Sequence, residues 1–212
     1  MKKIIVFLLS VFIVSSVFAQ TNGVEGEATS TEPVVAEREH LTFKGIPIDG
    51  TPQEFGRKLE EVGFEYDFKN QGSYWYKGGS FAGYNDCTVI VKAYDNLVYE
   101  IVAILPTKYK WSHLYNDYST LVSSLKSKYG DPIYQVEEFV NTPSYIDLDD
   151  DNYKYHEVKN DHCNYYCTFG DVSGWDYKGT IHIEIKSSGC VGLHYTDSYN
   201  DYLKRKAVNN DL

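Results

Sequence analysis

Apolar and polar positions along this chain change period several times, and each change marks an element. Over "DGTPQEFGRKLEEVGF" the apolar positions Phe55, Leu59 and Val62 recur at helical spacing. Thr51 is placed to cap that helix, Pro52 to open it, Glu54 to complete a capping box and Gly63 to stop it. A second helix is predicted over "WSHLYNDYSTLVSSLKSKYGDP". Ser112 is its expected cap, and Leu114, Leu121 and Leu125 form its stripe beside Tyr118 and Val122. "DSYNDYLKRKAVNNDL" reads as a third, polar helix at the end of the chain.

Between the helices the period falls to two. "CTVIVKAYDNLVYEIVAIL" reads as two strands turning at Tyr94-Asp95-Asn96. "GTIHIEIKSSGCVGLHYTD" reads as a hairpin with the three-residue loop Ser187-Ser188-Gly189. That loop sets Ile185 opposite Val191 and Ile183 opposite Leu193, with all four on one apolar face. The fold class is therefore α+β: two tandem units of a helix followed by an antiparallel β-meander, with the helices on one face of the sheet. "YNDY" at 115–118 and again at 199–202, each opening a helical segment, supports the repeat.

The start of the chain has a different character. "MKKIIVFLLSVFIVSSVFAQ" has two lysines, an apolar run and a small-residue end at Ala19, the pattern of a signal peptide over 1–19. The run from Ile4 to Ala19 is short for a membrane span, so no span is expected after cleavage. Residues 20–40 lack periodicity and read as a flexible linker. A single α+β domain is then expected over 41–212, made of repeats at about 41–110 and 111–212. Loss of Lys2 and Lys3 would take the formal charge from −10 to −12. With no basic stripe, this excludes nucleic acid and anionic membrane surfaces as partners.

Four groups of residues are candidates for chemistry or contact. In "DHCNYYC" a strand would place Cys163 and Cys167 about 13 Å apart, too far for a disulfide or a shared zinc. In an oxidising compartment Cys87, Cys163, Cys167 and Cys190 could form two disulfides, 87–163 with 167–190 or 87–167 with 163–190; buried free thiols are the alternative. His182 falls opposite His194, with Glu184 on the same face, a ligand set suited to zinc or iron. Asp147, Asp149 and Asp151 have the opening spacing of a calcium loop, but Asn152 stands where glycine is needed and Val158 where glutamate is needed. A solvated acidic loop is the expectation there. Tyr74, Trp75, Tyr76, Trp175 and Tyr177 read as loop aromatics flanked by glycines and are the candidate binding residues. No G-x-S-x-G, H-E-x-x-H or P-loop motif occurs.

"HLTFKGIPIDGTPQEF", "FAGYNDCTV" and "SLKSKYGDP" are similar to stretches in a group of small secreted proteins of unknown function from gut anaerobes. The helix-plus-meander repeat also resembles, in topology alone, the β-lactamase-inhibitor-protein type of fold. That second resemblance implies a curved sheet with a concave face for partners, and no residue role carries over. The expectation is an exported, periplasmic or extracellular, non-enzymatic binding module for an unknown protein or glycan, without a cofactor. The alternative is a metal-dependent hydrolase using His182, Glu184 and His194.

Overall fold

The computed structural model describes residues 38–141, 149–173 and 176–210. The protein is α+β, with four helices and a large antiparallel sheet among these residues. A short hairpin, β1 (Thr42–Phe43) and β2 (Ile46–Pro47), leads into helix α1 (Pro52–Glu61). Four strands follow: β3 (Glu65–Asn70), β4 (Ser73–Phe81), β5 (Tyr84–Tyr94) and β6 (Leu97–Ile104). Then come helix α2 (Trp111–Tyr129), β7 (Tyr134–Phe139) and helix α3 (Asp151–Lys159). The chain continues through β8 (Cys163–Ser173), β9 (Asp176–Lys186), β10 (Cys190–Asp197) and helix α4 (Ser198–Asn210). The eight-stranded sheet has the order β3-β4-β5-β6-β10-β9-β8-β7, every neighbour antiparallel. Two runs of four sequential strands thus meet at one seam, β6 against β10.

Local chemistry explains the well-read elements. The Thr51 side chain accepts from the Glu54 N–H while the Glu54 carboxylate accepts from the Thr51 N–H, so the capping box is complete. Phe55 and Leu59 are buried; Val62, expected beside them, is instead the exposed C-cap. The β5–β6 turn uses Asp95 and Asn96, both at positive φ, the geometry of a tight two-residue hairpin. In the last hairpin Lys186 pairs with Cys190, and Gly189 takes the left-handed position at φ 83°. Ile185 faces Val191 and Ile183 faces Leu193, as the alternation predicts.

One buried cluster unites the layers. Val89 and Val91 of β5, Ile101 of β6, Leu193 of β10, Ile183 of β9 and Phe169 of β8 belong to it. So do Phe55 and Leu59 of α1 and Leu114, Tyr118 and Leu121 of α2. The first and last segments of the described residues are tied in by polar contacts. Asp197 accepts from the Leu41 N–H and from the N–H groups of Tyr199 and Asn200, and the Asn200 amide donates to the Ile48 and Val98 carbonyls.

Three expectations change. "SYWYKGGSF" is strand β4, not a loop. Asp151–Lys159 is a helix, not a solvated acidic loop, because the Asp150 carboxylate caps it by accepting from the N–H groups of Asn152 and Tyr153. Ser112 does not cap α2. It lies inside the helix, and its N–H and hydroxyl donate to Asp151 at 2.6 and 3.3 Å, so a carboxylate from α3 serves the α2 N-terminus. No helix among the described residues is long and apolar enough to cross a membrane.

Candidate functional site

Side chains alternate across a strand, so the residues between the core positions share the opposite face. Their register forms one continuous row over all eight strands. Phe68 pairs with Trp75, Trp75 with Ile90, Ile90 with Val102, and Val102 with His194. His194 pairs with His182, His182 with Thr168, and Thr168 with Tyr134. The β3–β6 half of the row is apolar, with Phe68 stacked on Trp75 at 5.2 Å between ring centroids. Ile90 and Val102 are buried, yet outside the main core cluster. The other half is polar and aromatic: Tyr134, Tyr166, His182 and His194 follow one another with centroids 5.9, 5.6 and 6.0 Å apart.

A chain of charges runs beside this row. Lys92 of β5 donates to both oxygens of Glu100 on β6, at 3.1 and 3.0 Å. Glu100 lies 2.7 Å from His194 Nδ1, and Glu184 lies 3.2 Å from His194 Nε2. Lys186 donates to the same Glu184 oxygen. Lys186 reaches that position by lying over Gly192, where a Cβ would come within 2.4 Å of its Cε. His182 takes a separate partner, the Thr168 hydroxyl at 2.9 Å from Nδ1.

These contacts set the protonation states. Burial works against charge on His194, but carboxylates at both ring nitrogens raise its pKa above the usual value. A carboxylate at each ring nitrogen favours the imidazolium, the form that donates from both. Its hydrogen bond, with that of Lys186, holds Glu184 at about 2 against the cost of burial. Burial would raise Glu100, yet the bonds from His194 and Lys92 keep it below the ordinary carboxylate value. His182 goes the other way: burial lowers its pKa and Glu184 only partly offsets this, so the ring is neutral at neutral pH.

The structure therefore brings His182, Glu184 and His194 together as the register predicts, but not as a metal cage. Both His194 nitrogens are engaged as donors, and the Lys186 ammonium sits between Glu184 and His194. Among the described residues no group of three or more His, Cys, Asp or Glu has the geometry to hold a metal ion. Asp147 and Trp175 lie outside the described residues.

The aromatic candidates separate because β4 is a strand. Trp75 stands on the open row. Tyr74 packs against the core, and Tyr76 is 4% exposed, inside it, with its hydroxyl where a Cβ on Gly56 would sit at 1.9 Å. Tyr76 is therefore a packing residue rather than a contact residue. Tyr177 is 43% exposed on β9.

All four cysteines are free thiols in the structure. The register gives the reason. Three strands separate β5 from β8, placing Cys87 about 19 Å from either partner on β8. Cys190 lies two strands from β8, about 10 Å or more from Cys163 and Cys167, beyond the ~7 Å limit between Cα atoms. Burial also pushes the Cys163 thiol up to about 12 and the Cys167 thiol up to about 11, so neither is a ready nucleophile.

Sequence reasoning missed Lys92, Glu100, Tyr166, Thr168 and Lys186. A register shift between Lys92 and Ala93 places Lys92 opposite Glu100, whereas the plain two-residue turn would set it opposite Tyr99. It also missed Glu157 of α3, which is buried and bonded by His162 at 2.9 Å. Burial works against the Glu157 charge, but bonds from His162, Tyr153 and His156 keep its pKa below the ordinary value. The chain matches no known family model, no curated protein and no solved structure.

Proposed function

We propose that this protein is an exported, non-enzymatic binding module that engages its partner with the sheet face opposite the core. The observation that carries the reading is the single row of outward residues across all eight strands, from Phe68 and Trp75 to Tyr134. Such a face offers rigid aromatic anchors on one half and hydrogen-bonding groups on the other, the composition that recognition surfaces favour. The charges beside it alternate in sign, each of the two carboxylates held between two cationic groups. This suits a surface that must shed water more than one that must activate it. Among the described residues, the hydroxyl in hydrogen-bonding contact with these two rings is that of Thr168 on His182, itself part of a strand ladder.

The same reading includes the architecture. Two tandem helix-plus-meander units, with their helices on one face, account for the mirrored order β3-β4-β5-β6 and β10-β9-β8-β7 about the β6–β10 seam. "YNDY" lies near the start of α2 and again of α4, in keeping with a repeat. The signal-like start, the resemblance to small secreted proteins and the inhibitor-protein topology all belong to this proposal.

The test uses the chain from residue 20 onward, against an immobilised glycan panel and the exported proteins of the source. The double variant F68A/W75A should bind any ligand so found at least tenfold more weakly. Y109A, at a residue 80% exposed elsewhere, should bind like the wild type. Equal binding by F68A/W75A, or no ligand at all, overturns the proposal.

A further inference from the structure

β8 and β9 pair only as far as Tyr166 with Glu184. Beyond that pair the strands part, although both continue. Cys163, Asn164 and Tyr165 are paired on their outer side with β7, and Ile185 and Lys186 with β10. Two strand edges therefore face each other across a gap, and a cleft of about 420 Å³ occupies it. Asn164, Tyr166, Glu184, Lys186, Ser187 and Asp161 line it. A volume of that size lies in the range of small-ligand sites.

Resting on the binding-module reading above, we infer that this cleft is a subsite for one or two units of a neutral sugar. Backbone edges that are not laddered to each other offer both N–H donors and C=O acceptors to whatever lies between them. A hydroxyl both donates and accepts, so a polyol satisfies a mixed set of this kind. The Asn164 amide and the Ser187 hydroxyl extend the mixed set. The polar walls are fixed in advance. The Tyr166 ring packs against Tyr134 and His182, with centroids 5.9 and 5.6 Å apart, while Lys186 is held by Glu184 beside His194. A ligand would therefore not have to order these side chains on binding.

Other occupants fit less well. The parted stretch is three residues on β8, about 10 Å, too short for an inserted peptide strand to gain more than a few ladder bonds. An anion would meet Glu184 and Asp161, with a single ammonium that is already engaged. A metal ion would meet that ammonium.

The test is saturation-transfer NMR and calorimetry on the chain from residue 20 onward. The probes are glucose, galactose, mannose, fucose, N-acetylglucosamine and their common disaccharides, with inorganic phosphate as the anionic comparison. At least one sugar should bind with a millimolar or better Kd, and phosphate should not compete. N164A and Y166A should each weaken that binding at least fivefold, and Y202A, at an exposed residue of α4 away from the cleft, should leave it within twofold. Thermal melting confirms that each variant folds, and S187A, at an exposed loop residue, provides a second cleft variant with little risk to folding. No sugar binding at 50 mM overturns the inference, as does sugar binding lost in F68A/W75A but kept in the cleft variants. A protein partner that needs Phe68 and Trp75, found while sugars fail, removes the subsite and leaves the binding module standing.

Discussion

At His194 two carboxylates from different strands meet one ring, and stability becomes dependent on pH. Its folded pKa is raised, so the stabilisation it supplies is fully present below the unfolded value of 6.5. It is lost as the pH rises through the raised folded value. Urea unfolding should therefore show the wild type more stable than H194Q at pH 6, by about 1–3 kcal/mol, with the difference shrinking as the pH rises through the raised folded value. Parallel curves would mean that the ring is not the imidazolium described. Glu184 has the opposite sign: its contribution is present above about 4.5 and is lost only as the pH falls toward about 2. The pairing of His194 with His182 was legible in the sequence, because a three-residue loop fixes it locally. Glu100 was not legible. It reaches His194 only through the β6–β10 seam and a register shift, and neither leaves a mark in the local pattern.

Elements closed by their own residues were the ones that could be read. Helix α1 carries its capping box within four residues, and the two tight hairpins carry their turns. Helix α3 escaped because it buries only Glu157 and Val158 and has almost no apolar stripe. Strand β4 escaped because glycines interrupt its alternation, at Gly78 and Gly79, where the register with β5 shifts. Its contact with α1 is tight enough to test. G56A drives a Cβ to 1.9 Å from the Tyr76 hydroxyl and 2.8 Å from its Cζ, so it should cost about 1–3 kcal/mol in denaturant unfolding. Y76F removes the nearer atom. In a double-mutant cycle G56A should therefore cost less in the Y76F background than in the wild type. Equal costs in both backgrounds would place the Tyr76 ring elsewhere.

For the molecule as a whole, the four thiols give the simplest check. Alkylation of the denatured protein without reductant, read by intact mass, should add four labels. The same reaction on the native protein should add at most one slowly reacting label, at the partly buried Cys163, because the other three cysteines are buried. Fewer than four labels after denaturation would mean a disulfide and a different arrangement of the strands that carry these residues. The seam has a kinetic consequence. Ala103 meets Leu193, and the Leu41 N–H meets Asp197 across 156 positions of chain. Such remote pairings carry a large closure entropy and place the fold among slow, high-contact-order topologies. As the chain is made from its N-terminus, β6 stays an open edge until β10 has emerged. The first half is complete in sequence long before it is complete in structure. A ribosome can thus hold nearly the whole chain before it is committed to folding.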